Sequence, residues 1–205
     1  MPKLLFPCLV TIGIGLGLLA THFAPPTKPQ AIEWLKSPRP INQFQLTRAL
    51  NRHEKDSFNK TSLVGRWTVA MFGFTHCPDT CPTGLAQLVK LKQSIASDPY
   101  GPAVSILFVS VDPLRDSPRH LQDYLMHFDP TITGVTGRTP QLEHLADSLG
   151  VTFRVIPDSD NYRVSHSSTI SIIGPKAQLR GRFRQGFDPQ QVATDLASTI
   201  GATQI

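Results

Sequence analysis

At 205 residues, with 40% hydrophobic and 17% charged side chains, the chain has room for one sizeable domain plus an appendage, and its composition excludes wholesale disorder. The formal charge of +5 comes without long runs of like charge or a concentrated basic face with interleaved aromatics, which excludes nucleic acid as the expected partner. Three cysteines are too few for a disulfide scaffold.

The first element is an uncharged apolar run over residues 4–23, about 20 residues long, the length needed to cross a bilayer core. A cleaved leader has a shorter apolar stretch and a small-x-small exit. Ala20-Thr21-His22 fits that pattern poorly, and Pro25 and Pro26 follow directly. Cys8 sits too early in the run, with no small residue before it, to be a lipid-attachment site. The expectation is an uncleaved membrane anchor over 1–23, oriented N-in by Lys3, with the rest of the chain in an extracytoplasmic, oxidising space. There a cysteine pair must be kept reduced by a thiol reductant if it is to hold metal. Residues 24–40 carry Pro25, Pro26, Pro29, Pro38 and Pro40 and read as a semi-rigid tether, followed by one domain over 41–205. Residues 51–59, rich in charge, predict a variable hairpin near the domain start.

Two continuous apolar runs, 69–74 and 104–111, have the length and β-branched content of buried parallel strands. Between them Leu85, Leu88, Val89 and Ile95 follow helical spacing, so the segment predicts a β–α–β unit. Three more helix starts share a capping residue followed by proline: Ser117-Pro118, Thr139-Pro140 and Asp188-Pro189. The first helix carries Leu121, Tyr124, Leu125 and Phe128. The second carries Leu142, Leu145, Ala146 and Leu149 and stops at Gly150; the third carries Val192, Leu196 and Ile200. Strands are predicted at 151–155, 169–173 and 179–185, the last two forming a hairpin around Gly174-Pro175-Lys176-Ala177. The sum is an α/β chain: a mixed central sheet with helices on both faces.

The chemistry concentrates at the carboxyl end of the first apolar run, where open α/β sheets bind ligands. Gly73-Phe74-Thr75-His76-Cys77-Pro78-Asp79-Thr80-Cys81-Pro82 places two thiols four residues apart at the start of a helix, with Pro82 expected at the first helical position. The partial positive charge of a helix N-terminus favours thiolate. Such a pair can close a disulfide or hold a soft metal. Thiol–disulfide enzymes usually space their cysteines one residue closer, and the wider loop relaxes the sulfur positions, but spacing alone leaves both readings open.

Phe72 to Pro82 closely resembles the signature of the Sco/SenC family of copper-binding, membrane-anchored, thioredoxin-like proteins. Val109-Ser110-Val111-Asp112-Pro113-Leu114-Arg115-Asp116-Ser117-Pro118 is similar to that family's second block, and Val164-Ser165-His166-Ser167-Ser168 to its third. The resemblance covers about residues 35–187 and the anchor, with the three blocks in order. It implies a thioredoxin-like three-layer fold and makes Cys77, Cys81 and His166 the ligands of one copper ion. Cu(I), being soft, prefers thiolate with an imidazole partner; Cu(II) would want a fourth donor, water or a carboxylate such as Asp79. The resemblance further implies a metallochaperone that loads the binuclear copper centre of cytochrome c oxidase by docking on its copper-accepting subunit. The rival reading is a thiol–disulfide oxidoreductase that reduces the oxidase's copper-site cysteines with Cys77 and Cys81. The absence of a basic, amphipathic presequence favours a bacterial inner membrane, with the domain in the periplasm.

Asp79, Asp112, Arg115 and Asp116 are candidates for a polar docking rim; turn and helix-cap chemistry is the alternative for the last three. His76 is expected in packing or loop hydrogen bonding, and His22, His53, His120, His127 and His144 as solvated residues with no ligand spacing. Arg180, Arg182 and Arg184 alternate along the last strand and are expected on one face of a solvated edge.

Overall fold

The computed structural model describes residues 31–49, 56–97, 103–157 and 162–201. The expected anchor, most of the tether and the tip of the 51–59 hairpin lie outside these residues. Among the described residues no helix is long and apolar enough to cross a membrane.

In chain order the strands are β1 (Glu33–Pro40), β2 (Gln45–Arg48), β3 (Ser57–Asn59), β4 (Trp67–Gly73), β5 (Val104–Ser110), β6 (Thr133–Thr136), β7 (Phe153–Pro157), β8 (Tyr162–His166), β9 (Thr169–Gly174) and β10 (Gln178–Arg184). The helices are α1 (Thr80–Ala96), α2 (Pro118–Met126), α3 (Thr139–Leu149) and α4 (Pro189–Gly201). Eight strands form one sheet in the order β1-β10-β9-β4-β5-β6-β2-β3, and β7 with β8 makes a separate antiparallel ribbon. The pairs β4–β5 and β5–β6 are parallel; the other neighbours are antiparallel.

The sheet divides the core because side chains alternate across it. Val69 and Met71 of β4, Ile106 and Phe108 of β5, and Ile170 and Ile172 of β9 face α1, α2 and α4. Ala70, Phe72, Leu107, Val109 and Ile173 face α3 on the other side. Both faces of β4 and β5 are covered, which is why these strands read as unbroken apolar runs. The result is the expected thioredoxin-like three-layer fold with a mixed sheet.

Several boundaries differ from the sequence reading, each for a physical reason. The domain begins earlier: Glu33–Pro40, expected in the tether, is strand β1, paired antiparallel with β10. Its prolines are tolerated because β1 is an edge strand, where a missing N–H costs no ladder bond. Pro82 is the third residue of α1 rather than the first, since Asp79 is the cap and Thr80 begins the helix. Its missing N–H is still one of the first-turn orphans. Arg138, not Thr139, caps α3, whereas Gly150 stops that helix with φ 67° as a left-handed cap should. Ser117 accepts the His120 N–H at 3.2 Å and starts α2 as expected.

The three arginines do not share a face, nor is β10 an edge. A register shift between Leu179 and Gly181 turns Arg180 over the Trp67 ring, while Arg182, paired with Glu33, lies on the α3 side.

Gly73 closes β4 directly beneath the site. A Cβ there would stand 2.8 Å from the Phe108 ring and 3.0 Å from Cys81 Sγ. Gly73→Ala is therefore expected to destabilise by about 1–3 kcal/mol through overpacking, read as a lower denaturant midpoint at unchanged slope.

Candidate metal centre

The loop from Phe74 to Asp79 carries the chain from β4 into α1. It turns sharply enough for the Cys77 N–H to donate to the Phe74 carbonyl at 3.3 Å. Cys77 Sγ then lies over the N-terminus of α1, accepting the Cys81 N–H at 3.3 Å and standing 3.2 Å from Thr80 Oγ1. Cys81, on the first turn of the helix, is fully buried, and its Sγ is 3.5 Å from His166 Nε2. Both thiols are free. The donor atoms of Cys77, Cys81 and His166 lie within 4.8 Å of one another.

His166 arrives on β8, a strand whose alternating, half-polar pattern was not anticipated. The ribbon β7–β8 places Phe153 opposite His166 and carries the ring to the cysteines, where Phe74 meets it edge-on with centroids 6.0 Å apart. His166 Nδ1 lies 3.0 Å from the Ser167 carbonyl. A carbonyl only accepts, so Nδ1 carries the proton and Nε2 turns its lone pair toward Cys81. Burial lowers the His166 pKa, with the Ser167 bond working the other way, so the ring favours the neutral, ligating form.

The two thiols are unequal. Burial works to raise the Cys77 pKa, but hydrogen bonds from Cys81, Thr80 and the backbone at Cys81 and Asp79 outweigh it and hold the thiol below its ordinary value. Cys81 is pushed up to about 12, first by burial and then by the neighbouring Cys77 sulfur. The outer sulfur is thus the nucleophile and the inner one a guarded thiol.

Of the four docking candidates, the structure leaves Asp79 exposed, and its side chain makes no capping bond. Asp112 and Asp116 are 1% and 0% exposed, which takes them off the surface. Asp112 accepts from Arg115 Nε and from Tyr162 O–H, each at 2.5 Å. Asp116 accepts the Thr75 N–H at 2.9 Å, the Thr75 hydroxyl at 2.5 Å and the Ser110 hydroxyl at 2.6 Å. Arg115, half-buried, lies over the rings of Tyr162 and Phe74. The turn-and-cap alternative comes closer, but the segment does more: it ties the cysteine loop through Thr75 and the histidine strand through Tyr162.

Sequence reasoning missed the role of His120. It was expected among unclustered histidines, yet it stands with His76 and Asp116, the three donor atoms again within 4.8 Å. The signal lay in the four-residue spacing from Asp116 to His120, which puts both at the start of α2. Leu114, 83% exposed, was likewise not singled out.

Comparison with known proteins accounts for this arrangement. The SCO1/SenC family model matches residues 37–201. The chain belongs to the SCO1/SenC family. It is similar to the mitochondrial SCO2 homolog of Mus musculus, 31% identical over 145 residues, or 70% of this chain and 57% of the mouse protein. Among solved structures it is similar to copper-bound ScoI of Arabidopsis thaliana, with TM-score 0.71 and 28% identity over 79% of this chain and 98% of the other. Copper-bound yeast Sco1 matches with TM-score 0.72 and 27% identity over 80% and 90%. The chain spans between 50% and 62% of the length of the first curated relatives it matches.

The split between the thiols sets an expected pH profile. Alkylation should label Cys77 alone, with a rate that climbs as pH rises through a value below that of a free cysteine. Cys81 should stay unlabelled until strongly alkaline pH or unfolding. Mass-spectrometric mapping of iodoacetamide adducts checks this; equal labelling at neutral pH would contradict it.

Proposed function

We propose that this chain is a copper metallochaperone. Cys77, Cys81 and His166 take one copper ion, as Cu(I), and the domain passes it to the copper-accepting subunit of cytochrome c oxidase for the binuclear copper centre. The observation that carries this reading is the meeting of two free sulfurs and the Nε2 lone pair of a neutral imidazole at one point. Copper-bound relatives on the same fold support it. The donor chemistry fits: two thiolates and an imidazole suit a soft cation. Three protein ligands leave the ion open to an incoming donor, so transfer proceeds by stepwise ligand exchange. Exposed Asp79 and Leu114, carried on the loops that follow β4 and β5, offer one charge and one apolar contact to a docking partner, and Asp79 also supplies a fourth donor for Cu(II).

In this proposal the apolar run over 4–23 holds the domain at the inner membrane with its site in the periplasm, and a thiol reductant keeps Cys77 and Cys81 reduced there. A disulfide between them would remove both thiolates, so disulfide and copper states exclude each other.

The inequality of the thiols favours a second reading: a depressed-pKa Cys77 beside a more deeply buried Cys81 with a raised pKa is also the layout of a thiol–disulfide oxidoreductase acting on the oxidase's copper-site cysteines. His166 separates the two. In His166→Ala, copper affinity under reducing conditions should fall about tenfold or more, measured by competition with a Cu(I) chelator, while the rate of disulfide exchange with a small dithiol stays near that of the parent. Unchanged copper affinity would defeat the metallochaperone reading.

A further inference from the structure

We infer that the chain holds a second metal site, built from His76, His120 and Asp116, that takes a borderline divalent cation, Cu(II) foremost, through two imidazole nitrogens and one carboxylate oxygen. The site needs neither Cys77 nor Cys81 and stands whether or not the copper-carrier reading holds.

The anchor is Asp116. Its carboxylate is fully buried, and Oδ2 is fixed by the Thr75 N–H at 2.9 Å and the Ser110 hydroxyl at 2.6 Å. The Oδ1 atom points the other way, 3.8 Å from His76 Nδ1. Asp116 precedes α2 and His120 sits in its first turn, while His76 stands at the exposed lip of the cysteine loop. The two rings tilt toward one another with centroids 5.9 Å apart.

At the centre of the three donors sits the Thr75 hydroxyl. Its Oγ1 is 2.5 Å from Asp116 Oδ1, 3.0 Å from His120 Nε2 and 3.1 Å from His76 Nδ1. One hydroxyl proton goes to the carboxylate, so the oxygen accepts from both rings. A polar atom that gathers two imidazole nitrogens and a carboxylate oxygen marks the point where a cation would sit, each ring moving its proton to its other nitrogen so that a lone pair faces the ion. Around a metal with bonds near 2.0–2.1 Å, such ligands stand roughly 3–3.4 Å from each other. The carboxylate is already held in place, and the two exposed rings need only swing inward, while the threonine side chain turns aside or stays as a further oxygen donor.

The donor set decides the ion. Two imidazoles and a carboxylate lack the thiolate that Cu(I) seeks, and among divalent first-row cations such ligands bind Cu(II) most strongly. His76 and Cys77 are consecutive, so the soft site and the borderline site begin on neighbouring residues and sort copper by oxidation state.

The test uses the full chain carrying Cys77→Ser and Cys81→Ser, which removes the thiolates and any reduction of Cu(II) by them. Titration with Cu(II), followed by electron paramagnetic resonance, should show one tight equivalent with hyperfine structure from two nitrogens. Adding His76→Ala or His120→Ala should each weaken that equivalent about tenfold or more; adding His166→Ala should leave it intact. Both rings are exposed, so the substitutions should not disturb unfolding midpoints. The assignment is overturned if the His76→Ala and His120→Ala chains bind as before, or if the tight equivalent goes with His166 instead. Dependence on His76 and His120 seen with Zn(II) but not with Cu(II) overturns the choice of ion.

Discussion

The contact on which the rest of the molecule depends is the one between Cys81 Sγ and His166 Nε2, 3.5 Å apart in space and 85 residues apart in sequence. One side of it is rigid by construction. Cys81 belongs to α1, whose Leu85, Leu88, Leu91 and Ile95 are buried against the sheet, so its sulfur moves only if the core does. The other side is less protected. The ribbon β7–β8 pairs with no strand of the main sheet, and Val155 and Ile156 on it are exposed. Strand pairing alone cannot aim His166, and side chains have to do it.

Those side chains come from the segment after β5. Asp112 receives the Tyr162 hydroxyl at the far end of β8, and Arg115 lies between the Tyr162 and Phe74 rings, 4.1 and 5.9 Å from their centroids. The Ser167 N–H donates to the Thr152 carbonyl at 2.9 Å and fixes the strand's other end. Asp116, four residues on from Asp112, holds Thr75 two residues before Cys77. A buried carboxylate without partners is costly, so each of these aspartates persists only because several donors meet it. The expense has a function: two rigid acceptors register a loop and a ribbon that hydrophobic packing would leave free to slide.

Much of this was legible in the sequence where one physical signal was strong. The runs that became β4 and β5 are apolar on both faces because both faces are covered, and the stripes of α2, α3 and α4 point at a core. The cysteine loop could be placed at a sheet's carboxyl end from the β–α–β pattern alone. What could not be read was set by partners distant in the chain. Strand β1 is rich in proline and acquires its ladder only from β10. Strand β8 alternates half-buried and exposed residues because it pairs outside the sheet, so it lacks the apolar run that marks a core strand. Burial of Asp112 and Asp116 was equally hidden, since Asp-Pro and Ser-Pro describe a turn whether or not anything covers it. His120 lay in plain view, but His76, the partner that makes it a cluster, is far back in the sequence.

The inequality of the two thiols gives the site its working logic. Cys81 is buried enough to keep its proton, with its pKa at about 12, and its Sγ stands 3.5 Å from the bare Nε2 of His166. A cation entering there replaces a hydrogen bond with two metal bonds, and coordination deprotonates the thiol that burial had protected. Cys77, already inclined to thiolate by the donors around it, would meet an incoming ion first. Under the proposed copper-carrier reading, loading would run from the outer sulfur inward: capture by Cys77, loss of the Cys81 proton, closure onto the imidazole. On the same reading release would run backward, a partner with its own soft donors on the Cys77 side holding the ion while that proton returns.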